Sequence, residues 1–385
     1  MSTANMDDFS ITLGVEEELF LVDPVSRDLL TDPKEGIFDL CDETAPPHKV
    51  VRELLRAQIE TNTKVCSSVQ EVRESLLETR RVVIEATEKF GASPLAASTH
   101  PIAHWQDLKI TPKERYEHFT MVFQEGVRRF VIGGMHVHAG FGDPDTRIQV
   151  MTAIRRYLPL LHALSTSSPF NAGRDTGFRS YRLSLVGGIP RTGIPNPMYS
   201  WDEYELLLTQ YKNRNFIENG SELWWDIRPS HAYPTVEMRI CDVCTRLEDA
   251  VSITALYACL IRMLVRRLRE GNLPEEPLNE LIAEDRWIAQ RYGVLSFFGD
   301  TSTGIERIDI DDYATALIEV LQEDAEALSC EQELHHVMTI IREGTSSDRQ
   351  IDLYRLRLLE GDSPEEALKQ VVDQILAETK QGVTS

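Results

Sequence analysis

No stretch of this sequence reaches the run of about 18 apolar residues that a membrane-spanning helix needs. Its first ten residues, MSTANMDDFS, lack the basic-then-apolar order of a secretory signal. Positive charge is also scarce: 40 Lys and Arg stand against 62 Asp and Glu, for a net charge of −22. A surface that acidic repels phosphate backbones and anionic headgroups, which argues against nucleic acid and membrane partners. Cysteine is thin, with six residues scattered at 41, 66, 241, 244, 259 and 330 of a 385-residue chain too long to need covalent staples. There is no internal repeat and no low-complexity linker. These absences lead us to expect a cytoplasmic protein acting on small molecules. What is present is apolar residues, at 42%, enough to bury a large core.

The segment ITLGVEEELFLVD (Ile11 to Asp23) has period-two character and predicts a strand. SSVQEVRESLLETRRVVIEATEKFG opens on a capping Ser67 or Ser68 and stops at Gly91, which predicts a helix. Further helices are expected over 113–130 and 149–165, with a glycine-flanked strand from Gly133 to Phe141 between them. Ser167 to Ser200 forms a long irregular stretch, and a loop of that length inside a compact protein is usually functional or disordered. Arg174, Arg179, Tyr181 and Arg182 within it favour such a role. PTVEMRICD (Pro234 to Asp242) reads as another strand. Beyond Arg246, helix follows helix to a last one with Ser363 as N-cap, Pro364 in its first turn and Gly382 as its stop. We therefore expect one α+β catalytic unit over 1–385, with a mixed active-site core at 10–245 and a helical C-terminal extension at 246–385.

Chemistry concentrates in four places. Glu16 and Glu18 share one face of the first strand, and Glu17 takes the other. Two unpaired carboxylates on a buried face are costly, and a hard divalent cation would resolve the conflict; an edge strand with solvated charges is the plainer alternative. His136 and His138 share a face in GGMHVHAG, where they could be ligands or merely hydrogen-bonded core residues. Glu237 and Arg239 share a face too, as a salt bridge or as a metal ligand beside a phosphate-binding cation. Glu53 and Glu60 lie seven apart, a spacing that aligns them on a helix but not on one flat strand. Two further signals are weaker. Cys241-x-x-Cys244 has redox spacing without the expected context, and Trp224-Trp225 reads as core packing.

Together these segments resemble a known catalytic fold. GVEEELFLVD resembles the metal-binding strand of glutamine synthetases, ELLRAQIE their Gln-x-Glu segment, GGMHVH their Met-His-x-His strand, and VEMRICD their Glu-Val-Arg strand, all in the family's order. SPFNAGRDTGFRSYR and WWDIRPSHAYPTVEMR are closer still to bacterial carboxylate–amine ligases of the glutamate–cysteine ligase type 2 family. The resemblance implies a curved, largely antiparallel sheet carrying the site, backed by helices. It implies ATP and two or more Mg²⁺ ions, with Mn²⁺ a possible substitute, amino-acid substrates, and a homodimer. It assigns Glu16, His136 and Glu237 to the metal beside the nucleotide phosphates, and Glu18, Glu53 and Glu60 to a metal nearer the amino acid. His138 and Arg182 would contact nucleotide, Arg239 would contact both nucleotide and the transferring phosphoryl group, and Arg179 and Arg182 would lie in the arginine-bearing catalytic loop. The chain departs from glutamine synthetase in its helical tail and in Thr235, where that family carries a second arginine. A guanidino kinase of related fold and a non-catalytic metal- or nucleotide-binding protein are the competing expectations.

Overall fold

A computed structural model describes residues 6–300 and 305–383. Its centre is β1 (Thr12–Val22), whose alternation places Leu13, Val15, Glu17, Leu19 and Leu21 on one buried face and Glu16 and Glu18 on the other. The chain then runs through helix α1 (Glu35–Thr44), β2 (Lys49–Arg52), β3 (Gln58–Asn62), helix α2 (Val69–Lys89), β4 (Ser93–Leu95), helix α3 (Glu114–Phe123) and β5 (Met135–Gly140). In the sheet, β3 and β5 flank β1, β2 pairs with the outer side of β3, and β4 pairs with the end of β1. The strands Val236–Met238 and Ile227–Pro229 follow beyond β5, and every pairing in this seven-stranded sheet is antiparallel.

Register decides what the sheet can do. Glu18 lies opposite Glu60, Glu16 opposite His136, and His138 opposite Glu237. Side chains directly opposite on neighbouring strands stand about 5 Å apart, so four segments distant in sequence become one patch. The other face of β1 packs into a core shared with α2 and with the almost wholly buried helix Leu247–Arg269. There Glu17 meets Arg80 of α2 at 2.5 and 2.9 Å, and both side chains are fully buried. Arg80 also donates to the carbonyl oxygens of Cys244 and Thr245, so every charge in this part of the core has a partner.

Capping explains the helix ends. Ser68 caps α2 by accepting from the Glu71 N–H, and Ser363 caps the final helix Pro364–Lys380 through a reciprocal capping box with Glu366. Two expectations need revision. The helix over 113–130 breaks at Gln124 (φ 48°), leaving α3 and a single turn at Glu125–Arg128. The helix over 149–165 starts earlier, at Asp143 and Pro144, and is divided by a 3₁₀ turn at Arg155–Tyr157. Asp143 accepts from the Thr146 N–H, a stronger start signal than the apolar pattern further on. The C-terminal third is helical except for a small hairpin formed by Phe297–Asp300 and Ile305–Asp309. Among the described residues, no helix is long and apolar enough to cross a membrane.

Candidate active site

The acidic face of β1 forms the floor of a cavity of about 1440 Å³. Two clusters meet there. In one, ligand atoms of Glu16, His138 and Glu237 lie within 4.8 Å of one another, and in the other those of Glu18, Glu53 and Glu60 do the same. The resemblance had put His136, rather than His138, with Glu16 and Glu237. In the structure His136 stands between the clusters, its Nδ1 3.1 Å from Glu16 and its Nε2 4.0 Å from Glu18. His138 reaches Glu16 through Nε2 at 3.2 Å, while its Nδ1 meets the Thr235 hydroxyl at 2.9 Å.

Glu53 and Glu60 converge because the chain reverses between β2 and β3, which settles a geometry that neither a helix nor a flat strand could supply. Burial pushes the Glu60 carboxyl well up, and the nearby Glu53 and Glu16 carboxylates push it further. Burial raises Glu18 as well, with Glu53 adding to the shift and His136 opposing it. Burial alone would raise Glu16, but hydrogen bonds from His136 and His138 outweigh it and hold Glu16 below the usual carboxylate range. His136 is kept neutral by burial and by the Arg239 charge. With Nδ1 donating to Glu16, its buried Nε2 keeps a lone pair that has no partner among the described residues.

These features fit a hard divalent cation. Three crowded carboxylates, of which Glu18 and Glu60 have raised affinity for protons, and an orphaned imidazole nitrogen facing one of the three, form a donor set that a cation would satisfy. Glu237 differs, because Arg228 clamps it at 2.8 and 3.1 Å and Arg239 bonds one of the same oxygens. Burial would raise its carboxyl, but those two guanidinium groups hold it well below normal.

The glycines of the GGMHVH segment are space-makers. A Cβ on Gly134 would strike the Arg182 guanidinium, and one on Gly133 would meet the Glu18 carbonyl oxygen at 2.6 Å. Arg182 lines the cavity from below and donates to the carbonyl oxygens of Arg239, Ile240 and Cys241. Arg179 is placed elsewhere: its side chain pairs with Asp348 at 2.7 Å and does not line the cavity. Trp224 and Trp225 must be separated, since neighbours on a strand point to opposite faces. Trp225 is buried in the main core and Trp224 packs half-buried against Phe119 and Phe123 beside a smaller apolar cluster, as expected, and both also border the cavity. Cys241 and Cys244 are buried without bonding each other, and burial pushes the Cys241 thiol up to about 12.

Comparison with known proteins bears on this site. The family model described as "Glutamate-cysteine ligase family 2 (GCS2)" matches residues 12–374. The chain belongs to glutamate–cysteine ligase family 2. A relative from Rhodospirillum rubrum named "Putative glutamate--cysteine ligase 2" is 44% identical over 373 residues, covering 96% of each chain. One of the same name from Jannaschia sp. is 41% identical, covering 96% of this chain and 97% of its own. The fold is shared with a solved glutamate–cysteine ligase from Francisella tularensis in complex with AMP (TM-score 0.68, 13% identity, 98% of this chain and 91% of that one). It is shared too with a bifunctional glutathione synthetase from Pasteurella multocida (TM-score 0.68, 14% identity, 97% of this chain and 53% of that one).

Within this family member, sequence reasoning missed three supports. Arg228, opposite Glu237, could have been found from the strand alternation in WWDIRP. Asp242 accepts from the Ser167 N–H and from the hydroxyls of Ser168 and Ser180, tying the 167–200 segment to the end of the catalytic strand. Arg80, which neutralises Glu17, left no local signal at all.

Proposed function

We propose that this protein is an ATP-dependent carboxylate–amine ligase that joins glutamate to cysteine through an acyl phosphate. The observation that carries this reading is the pair of adjoining acidic clusters with Arg239 beside them in one large cavity. Glu16, Glu237 and the two histidines would hold one Mg²⁺, and Glu18, Glu53 and Glu60 a second. When bound, these ions offset negative charge on the nucleotide phosphates and on the transferring group.

The chain's own residues do the rest. Arg239, raised in pKa because the Glu237 charge outweighs its burial, stays cationic and faces the transferring phosphoryl group. Arg228 keeps Glu237 ionised and fixed, which also positions Arg239. Arg182 braces the strand end from beneath. The substrate carboxylate attacks the γ-phosphorus, and ADP leaves. The amine then attacks the acyl carbon and expels phosphate. Water would intercept the acyl phosphate, so the wall formed by residues 182–191 serves to exclude it.

The test is phosphate release from ATP with Mg²⁺ across pairs of amino acids, with the product identified by mass. Release that needs both a carboxylate and an amine, and falls at least a hundredfold in Glu16→Gln and Arg239→Ala, supports the ligase. Phosphate transfer to a guanidinium compound, or nucleotide binding with no turnover on any pair, would overturn it.

A further inference from the structure

The side-chain bond to Glu237 is not all that directs Arg239, because its strand turns irregular at that residue. Ile227 pairs with Met238 and Arg228 with Glu237, which brings Asp226 next to Arg239. There the Asp226 carbonyl oxygen accepts from two successive N–H groups, those of Arg239 at 2.8 Å and Ile240 at 3.1 Å. Two residues facing one is the pattern of a β-bulge, which bends its strand and re-aims the side chains on it. The direction of Arg239 therefore depends on where Asp226 is held.

Arg286 does the holding. It grips both oxygens of the Asp226 carboxylate, at 2.6 and 3.2 Å, and the two side chains are only 18% and 4% exposed. Such a fork fixes orientation as well as distance. Arg286 belongs to the helix Asn279–Tyr292 in the C-terminal third and does not itself line the cavity. That helix is anchored, since its Gln290 carbonyl accepts from the N–H groups of Arg179 and Ser180, both at 3.0 Å. No other cation pairs with Asp226 among the described residues. Arg182 is spent on the carbonyl oxygens of Arg239, Ile240 and Cys241. His162 is kept neutral by burial and by the charges of Arg286 and Arg182.

We propose that Arg286 is a positioning residue: by gripping Asp226 it sets the bulge at Arg239, and so the direction in which that guanidinium faces the reacting phosphoryl group. This inference rests on the ligase reading for the reaction itself, and it gives the C-terminal helical extension a part in it. A buried ion pair that served the fold alone would lower stability and leave kcat untouched.

Arg286→Lys keeps the counter-charge of Asp226 but not the fork, so the chain still folds. Its crystal structure should show the Arg239 guanidinium displaced by about 1 Å or more, or spread over several positions. Its kcat should fall about tenfold, with KM for Mg·ATP within about threefold of wild type. Arg286→Met, which removes the charge as well, should lower kcat about a hundredfold. In an Arg239→Ala background, adding Arg286→Lys should change kcat by less than about twofold, because nothing is left to aim. Arg239 unmoved in Arg286→Lys, or an equal loss of kcat with and without Arg239, overturns the inference. Amide formation by wild type is measured separately. If amide forms and Arg286→Lys turns over like wild type, only this inference fails. If Arg239 is displaced in Arg286→Lys but wild type forms no amide, the positioning stands and only the ligase reading fails.

Discussion

The two faces of β1 carry the same residue type and treat it in opposite ways. Glu17 points into the core and meets a dedicated cation, Arg80, with all of that guanidinium's other contacts satisfied by backbone carbonyls. Glu16 and Glu18 point into the cavity, and Glu18 faces two further carboxylates with no cation bonded to it. A buried charge supplied with its own partner is a structural device. A buried charge left without its own cation is where the proposed function places its metals.

Breaking the core side should produce the largest effect. Arg80→Met leaves Glu17 buried and unpaired, and urea denaturation should show a loss of about 3–5 kcal/mol. Adding Glu17→Leu should recover most of it; no recovery would mean that the carbonyl contacts matter more than the charge.

On the cavity side the sign reverses. If Glu60 holds a metal as proposed, Glu60→Gln should cut ligase turnover at least about a hundredfold and remove the gain in melting temperature expected for wild type with Mg²⁺. In chelator, however, the same variant should melt at or above wild type, because it relieves carboxylate crowding. A lower melting temperature in chelator would show that Glu60 supports the fold by itself.

A third prediction concerns His100, which packs edge-on against Phe20 further along the cavity-side face of β1. Its Nδ1 accepts from the N–H groups of Ile102 and Ala103, and burial lowers its pKa to about 3. The unfolded chain protonates this imidazole near its ordinary pKa of 6.5 while the folded one does not. Stability is therefore full above that pH and declines as pH falls through the window toward 3, with a slope approaching ~1.4 kcal/mol per unit. Denaturation midpoints of His100→Asn measured between pH 7 and pH 5 should fall less steeply than those of wild type.

The smallest effect on turnover belongs to Arg179. Its partner is Asp348 and both side chains are mostly buried, so Arg179→Ala should cost about 1–3 kcal/mol of stability and leave turnover within about threefold of wild type. A large loss of kcat would return it to the reaction.

Much of the sheet was legible because it is written in period two. Alternation in β1 predicted that Glu17 would part from its neighbours, and the glycine-flanked histidine strand was placed nearly to its ends. What stayed hidden depends on chain reversal or on distant partners. The convergence of Glu53 with Glu60 needs the turn between β2 and β3, the break at Gln124 is a single backbone angle, and Arg80 is 63 residues from the carboxylate it serves. The paired tryptophans pack as expected, but nothing in the motif showed that both also border the cavity.

Strand order also has a consequence for synthesis. Glu18, Glu53 and Glu60 lie on or beside β1, β2 and β3, so a growing chain has made this cluster's residues by position 60. Glu16 and His138 must wait for Glu237, which arrives with the strand next to β5. A nascent chain emerging N-terminus first would thus contain all three carboxylates of one cluster long before Glu237 of the other exists. A ribosome-bound fragment ending before residue 236 would therefore carry one half of the proposed site and lack the other.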